Sequence, residues 1–237
     1  MKKIMIVALL VALVAGVWTP MVQADAKADL QQAGNIAGIV KGFAGTICNQ
    51  KNPATGNNDM CPSDVLTKVK MVIDLGSTSL ITAATLSQTA DQFPNKTRKA
   101  IADLQLAAAG VNTASIGVKN AKTAQDQIDT LMTYLNAQGK FIGVIADYLD
   151  SLESDIFNPI FSLIEAMPFV GSKVVIDGKP VSLVVGNMLS ALKKRNDTFL
   201  KAVSVLPTVI KSVEAAATGG TAPATAAPVV KGEEFGF

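Results

Sequence analysis

The longest helical pattern in the chain runs from Ala121 to Phe157 and reads AKTAQDQIDTLMTYLNAQGKFIGVIADYLDSLESDIF. Its large apolar residues recur at spacings of three, four or seven, which places them on one face of a helix; they are Leu131, Leu135, Ile142, Ile145, Leu149, Leu152 and Ile156. We expect the helix to end at Asn158-Pro159, because proline disfavours a helix that continues through it. A helix of this length spans roughly 55 Å. It therefore predicts partner helices of similar length.

The first two dozen residues have the three parts of a secretory signal peptide. Two lysines follow the first methionine, Ile4–Val17 is an apolar run, and Val22-Gln23-Ala24 is a small-residue cleavage site. An uncleaved membrane anchor is the alternative, but the run is shorter than the roughly 20 apolar residues that cross a bilayer. We therefore expect residues 1–24 to be removed and the protein to be exported, to the periplasm, the cell surface or the medium.

Composition argues against several functions. The sequence has no histidine, which removes the commonest general base and metal ligand, and it has no nucleotide-binding, hydrolase or metalloprotease motif. We predict a protein that is not an enzyme and has no catalytic residue, metal or cofactor. Cleavage after Ala24 takes two of the 21 basic residues and leaves 19, equal to the 19 acidic ones. The basic excess of a nucleic-acid-binding protein is therefore missing.

The two cysteines, Cys48 and Cys61, flank a polar loop rich in Asn, Gly and Pro. In an exported chain this pattern predicts a structural disulfide, since a metal or redox site needs more ligands or a closer pair. The disulfide would join an amphipathic helix over Ala28–Ile47 to a second helix that begins at Ser63 or Asp64 and ends near Phe93-Pro94. A row of glycines in the first helix indicates close helix packing; its members are Gly34, Gly38, Gly42 and Gly45.

The remaining patterns complete the bundle. A third helix begins at Asn95 or Thr97, with a kink or short break allowed around Gly110 and Gly117. Its apolar stripe is Ile101, Leu104, Ala108, Val111 and Ser115–Val118. Two β-rich runs around Asp177-Gly178 predict a small hairpin near residues 173–184. A last helix runs from about Ser182 or Gly186 to Ala216, and Pro207 should bend or divide it.

The predicted fold class is all-α: an elongated antiparallel bundle of four or five helices with one small β-hairpin. The bundle domain covers residues 25–217, and residues 218–237 form a tail rich in Ala, Pro, Thr and Gly that cannot build a core.

Charges at the ends of two helices suggest how those helices pair. The long helix is acidic at its C-terminal end, at Asp147, Asp150, Glu153 and Asp155, whereas the last helix is basic near its beginning, at Lys193, Lys194 and Arg195. Antiparallel packing would bring the two clusters together and offset their unfavourable places in the helix dipoles. A calcium or magnesium site is the alternative, but the alternating ligand loop of calcium-binding hands is missing.

The segment from Phe157 to Val185 permits two interpretations. It can close one end of the core, or it can be an apolar tip presented to a membrane, a lipid or a partner protein. The candidate tip residues are Phe157, Ile160, Phe161, Met167, Phe169, Val170, Val175 and Ile176. Long helices joined by an apolar hairpin resemble, in broad outline, the alpha-helical pore-forming toxins, and that resemblance implies membrane insertion.

The chain ends in two further aromatic residues, Phe235 and Phe237, which follow the tail and could dock on a partner; an unremarkable frayed end is the alternative. Together the patterns favour an exported, non-catalytic helical protein that acts by protein binding or self-assembly at the cell envelope or outside the cell. Membrane or lipid binding through the apolar tip, with pore formation as one form of it, is the alternative.

Overall fold

The computed structural model describes residues 24–87, 90–167 and 173–219. The predicted signal peptide, up to Gln23, lies outside these residues. So do the tail beyond Gly219, with Phe235 and Phe237, and two candidate tip residues, Phe169 and Val170.

The described chain is a helical bundle with one small hairpin, as the sequence predicted. Its elements, in chain order, are α1 (Ala24–Cys48), α2 (Val65–Ser87), a 3-10 turn (Ala90–Gln92), α3 (Asn95–Asn120), α4 (Ala124–Leu152), a π-helical turn (Glu153–Phe157), α5 (Asn158–Glu165), β1 (Val175–Ile176), β2 (Lys179–Pro180) and α6 (Val181–Ala217). Because α4, the π-helical turn and α5 follow one another without a gap, these described elements form five helical rods.

Helix α4 begins at a capping box. The Thr123 hydroxyl accepts a hydrogen bond from the Asp126 backbone N–H at 3.0 Å, and the Asp126 carboxylate accepts one from the Thr123 N–H at 3.0 Å. This reciprocal pair satisfies two backbone donors that a helix start otherwise leaves free. The helix therefore begins at Ala124, three residues after the predicted start. All seven residues of its predicted apolar stripe are buried.

The prediction that the long helix stops at Asn158-Pro159 is wrong. The chain passes from α4 through the π-helical turn directly into α5, which has Pro159 in its first turn. The Asn158 N–H donates to the Glu153 carbonyl, five residues back. A proline normally breaks a helix because it lacks an N–H and its ring meets the carbonyl four residues earlier. The wider turn just before Pro159 relieves both conflicts.

Two helices continue through residues that were predicted to kink or divide them. Helix α3 runs without a break past Gly110 and Gly117, and α6 continues through Pro207 as one helix of 37 residues. Both helices bury one face along their length, so tertiary packing overrides the local propensity.

The glycine row of α1 does not mediate close helix packing, contrary to the prediction. A Cβ placed at Gly34, Gly38, Gly42 or Gly45 would meet no atom within 4 Å. The reason is that α1 turns another side to the core, which it meets through Ile36, Ala37, Val40, Ala44 and Ile47. The close approaches occur instead in α2, where Gly76 faces the Gln138 carboxamide, and in α4, where Gly139 faces Leu206.

The hairpin is confirmed but shorter than the predicted span. Val175 pairs with Pro180 and Ile176 with Lys179. Asp177 and Gly178 both have positive φ, 49° and 77°, which is the conformation of a two-residue hairpin turn. The second β-rich run does not extend the strand, because Val181–Val184 forms the first turn of α6.

Contacts between helices fix their relative directions. Lys96, near the start of α3, approaches Asp150 near the end of α4, and Lys193, in the first half of α6, approaches Glu153. The start of α3, the π-helical turn, α5, the hairpin and the start of α6 therefore share one end of the bundle, which we call the hairpin end. The disulfide loop, the α3–α4 connection and the end of α6 lie at the opposite end.

Candidate functional surfaces

Most described residues of the predicted apolar tip belong to the core of the hairpin end. Phe157 and Ile160 are buried, while Phe161, Met167 and Ile176 are half-buried. The Phe161 ring lies 3.5 Å from the position of a Cβ at Gly186, so it fills the gap between α5 and α6. These side chains close the end of the bundle.

Val175 is the exception among the predicted tip residues that the structure describes, because it is 55% exposed. Leu163 in α5 and Leu183 in the first turn of α6 are also about half exposed, and the sequence interpretation did not name them. Their signal was present, since α5 has apolar residues at consecutive positions, as in Ile160-Phe161 and Leu163-Ile164, and one helix cannot bury them all. Among the described residues of the hairpin end, the exposed large apolar side chains are therefore Leu163, Val175 and Leu183.

A polar network surrounds the π-helical turn. Lys193 pairs with Glu153 at 3.3 Å, which is one of the predicted contacts between the long helix and the last helix. Asp150 instead pairs with Lys96 of α3 at 3.7 Å, and the Lys96 ammonium also donates to Ser154 Oγ at 2.9 Å. Both ion pairs are partly exposed, so each contributes under about 1 kcal/mol.

The same network includes one buried side chain. The Thr97 hydroxyl, which is fully buried, donates to Asp155 at 3.5 Å, and Ser154 donates to the same carboxylate at 2.9 Å. These contacts hold the π-helical turn against the start of α3. In the part of the chain that the structure describes, no three acidic or cysteine side chains are grouped to hold a metal ion.

The centre of the bundle contains a neutral polar layer. Gln138 is fully buried and donates to the Tyr134 hydroxyl at 2.9 Å. Its side-chain oxygen has no hydrogen-bond partner, and neither has the hydroxyl of Ser77, which follows Gly76 in α2. Ten residues further along α4, toward the hairpin end, burial raises the pKa of Tyr148 well above its usual value.

The disulfide predicted between Cys48 and Cys61 is present, with an S–S distance of 2.04 Å. Both cysteines are buried, whereas the loop between them is largely exposed. Inside the loop, the Asn52 side chain accepts a hydrogen bond from the Ala54 N–H at 2.9 Å, and Thr55 donates to Asp59 at 2.8 Å. The disulfide therefore links the end of α1 to the segment that leads into α2.

The outer surface of α3 carries no charge over four turns and includes two exposed large apolar side chains. Leu106 is 76% exposed and Ile116 is 61% exposed, and no residue between positions 104 and 118 carries a charge. We call the exposed set of Leu106, Ala109, Gly110, Thr113 and Ile116 the α3 face.

Sequence interpretation missed the α3 face because it followed a single stripe along this helix. That stripe was right for Ile101, Leu104, Val111 and Val118, which are buried, but it included Ile116, which is exposed. The missing signal is a second row of uncharged residues at spacings of three and four on the opposite side of the helix.

The chain matches no protein-family model, and comparison with curated proteins and with solved structures finds no match. Within the described ranges, none of the helices is both long and apolar enough to cross a membrane.

Proposed function

We propose that this chain is an exported, non-catalytic helical protein that acts by protein binding or self-association at the cell envelope or outside the cell. The observation that supports binding is the α3 face. Large apolar side chains exposed on a surface without charge are typical of a protein–protein contact, and Leu106 and Ile116 keep most of their side-chain surface accessible there.

Two further observations support export and the absence of catalysis. The Cys48–Cys61 disulfide is of the kind that persists in oxidising compartments. The charged groups around the π-helical turn are engaged in pairs at the surface, and the polar groups of the central layer are neutral. These arrangements stabilise the bundle, whereas a catalytic site would need a titratable group held near its working pKa.

The experiment that tests the proposal measures association of the purified protein by sedimentation equilibrium over a wide concentration range. It is combined with chemical cross-linking in the cells that produce the protein. We expect a reversible oligomer or a stoichiometric complex with another protein. Intact-mass measurement on the same preparation locates the N-terminus, which export by signal cleavage places near Asp25. A protein that stays monomeric and cross-links to nothing would contradict the proposal.

A membrane- or lipid-binding function through the hairpin end is the second candidate. The observation that favours it is the exposed apolar group of Leu163, Val175 and Leu183 at one end of an elongated molecule. Pore formation would be a further step of this candidate, and it would require Phe157 and Ile160 to leave the core.

A further inference from the structure

We infer that residues 233–237, at the end of the tail, bind the α3 face of their own chain, with the two Phe rings on the face and the acidic residues beside Lys119. This contact goes beyond the proposed function, because it is intramolecular and any partner of the α3 face has to displace it. The position and length of the tail, the shape of the face and the charges beside it support the contact.

The tail leaves the bundle at the end where the α3 face begins. Helix α6 ends at Ala217, at the same end of the bundle as the α3–α4 connection. Ile116 is four residues before Asn120, the last residue of α3, which is about 6 Å along the helix. Phe235 is sixteen residues after Gly219. A linker of that length spans roughly 20–24 Å on average and about 53 Å when fully extended, so Phe235 can reach across the bundle to the α3 face.

The other exposed apolar residues suit the tail less well. Leu183 is 34 residues before Ala217, about 51 Å along α6, so the tail would have to be almost fully extended to reach the hairpin end. Leu200 in α6 and Ile39 in α1 are nearer, with exposures of 51% and 41%. In the described chain, neither has a second exposed large apolar side chain within three turns of its helix.

The α3 face has a shape that accepts two aromatic rings. Leu106 and Ile116 are ten residues apart, about 15 Å along the helix. The small exposed residues between them are Ala109, Gly110 and Thr113. No atom lies within 4 Å of a Cβ placed at Gly110. In an extended segment, residues two apart point to the same side at a separation of about 6.6 Å. The rings of Phe235 and Phe237 can therefore lie side by side on the small residues, between the two larger ones.

The charge of the tail matches the side of the face from which the tail arrives. Glu233 and Glu234 come directly before Phe235, so they lie toward the end of α3 when the rings are on the face. Lys119 is exposed three residues after Ile116, on the same side of the helix. The two carboxylates are then beside the Lys119 ammonium. An exposed ion pair is weak, so it fixes the direction of the segment more than the strength of the contact.

Helix α4 lies on the other flank of the face. At 100° per residue, Gly117 is about 100° from Ile116 around α3, whereas Lys119 is about 60° from it in the opposite direction. The Thr130 side chain of α4 lies 3.6 Å from a Cβ placed at Gly117. An acidic segment on the Lys119 side therefore avoids the acidic residues at the start of α4, such as Asp129.

The contact can be weak and still form, because the tail and the face belong to one chain. A short linker gives its end an effective concentration in the millimolar range. A dissociation constant of about 1 mM, which is a small binding energy, is then enough to dock the tail in about half of the molecules. We expect docked and released tails in equilibrium, so that a partner with higher affinity for the α3 face can replace the tail.

The first test places a fluorescent reporter in the tail. Trp18 is the only tryptophan of the sequence and lies in the predicted signal peptide, so Phe235→Trp gives the mature protein a single indole. We expect blue-shifted emission from a docked indole. Adding Leu106→Asp or Ile116→Asp should shift the emission to the red and weaken docking at least about tenfold, because the new carboxylate loses water against the ring.

Ile39→Asp and Leu200→Asp are the matched controls, since each puts the same charge at an exposed apolar position within reach of the tail. Both should leave the emission of the Phe235→Trp protein unchanged. Circular dichroism confirms that all four variants are folded, and intact mass confirms that Trp18 has been removed.

The second test reverses the charges. In the Phe235→Trp protein, Lys119→Glu should weaken docking about twofold to fivefold, which is the size of an exposed ion-pair effect. Adding Glu234→Lys should restore it, and high salt should remove the difference. A loss that Glu234→Lys does not restore, or no loss at all, would overturn the place of residues 233–237 beside Lys119.

The outcomes separate this inference from the proposed function. Emission typical of a fully exposed indole, or emission that Leu106→Asp and Ile116→Asp leave unchanged, would overturn the contact. A red shift caused by Leu163→Asp would place the tail at the hairpin end, and one caused by dilution would place it on a second copy; either overturns the contact. The proposed function, tested by association and cross-linking, stands in all these cases. A docked tail in a protein that stays monomeric and cross-links to nothing would support the contact and contradict the proposed function.

Discussion

Asp126 shows how one side chain fixes the start of the longest helix. The Thr123 backbone N–H donates to its carboxylate and, with the Thr123 side chain, holds the pKa of Asp126 below its usual value. The folded protein therefore favours the ionised form more than the unfolded chain does. This contribution to stability is fully present above the unfolded pKa of about 3.9 and is lost as the pH falls through the lower folded pKa.

The corresponding prediction concerns Asp126→Asn, which keeps a hydrogen-bond acceptor but removes the charge. We expect the variant to be less stable than the wild type at neutral pH, and the difference to shrink as the pH falls below about 4. Urea unfolding at a series of pH values measures it. Asp103→Asn controls for the loss of one surface negative charge, and an Asp126→Asn difference that stays constant with pH would contradict the role of the charge.

At this scale the sequence could predict which residues are buried better than it could predict what they touch. The stripe of α4 follows from periodicity alone, because a single face must meet the core. The contact between Gly76 and Gln138 does not, since every glycine looks alike in a sequence and only the relative heights of two helices decide which one is approached. The glycine row of α1 illustrates the error, because its spacing suggested packing while its side of the helix meets no neighbour.

The contact between α2 and α4 depends on a missing side chain. A Cβ at Gly76 would overlap the Gln138 carboxamide, which is fully buried and bonded to Tyr134. Gln138 would have to give up that position and leave its polar atoms without partners.

We therefore expect Gly76→Ala to lower the free energy of unfolding by about 1–3 kcal/mol, the usual range for overpacking. Gly42→Ala is the matched control: Gly42 is exposed with open space around it, so the helix-propensity gain of up to about 1 kcal/mol should appear there. Chemical denaturation measures both. In a protein that already carries Gln138→Ala, Gly76→Ala should lower the free energy of unfolding much less, because the overlapping side chain is gone. Purely additive effects of the two substitutions would exclude this contact as the cause.

Elements were predicted well where local rules act alone. The disulfide and the Asp177-Gly178 turn follow from residue type and spacing, and the structure contains both. The π-helical turn could not be read in the same way, because a proline after a long helical pattern ordinarily marks its end. Here the helix continues beyond that point because α5 packs against the core: Ile160 and Ile164 are buried, and the Phe161 ring lies against Gly186 of α6.

For the whole molecule, the function depends on which apolar residues are exposed to solvent. Sequence interpretation treated Phe157–Val185 as one apolar unit, but its described residues include both a buried part and the exposed Leu163, Val175 and Leu183. Periodicity could not make that division, because two short apolar elements and a hairpin meet at the bundle end and their mutual packing is a tertiary property.

The membrane candidate makes a prediction that distinguishes it from protein binding. It predicts that the purified protein co-sediments with lipid vesicles and that Leu163→Asp or Leu183→Asp lowers this binding at least about tenfold, since a charged group enters the bilayer interface at a cost. Leu106→Asp and Leu200→Asp should leave vesicle binding unchanged. Equal loss in all four variants, or no binding by the wild type, would count against a lipid-binding hairpin end.

The disulfide also bears on the order in which the molecule is assembled. Its cysteines are only 13 residues apart, and both belong to the first 61 residues of the chain. The disulfide needs no residue after Cys61, so it can form in an oxidising compartment before α3 and the later helices have folded. The covalently linked α1–α2 pair would then fold first, and the remaining helices would pack against it. Thiol oxidation, which is slow, would be complete before the core collapses.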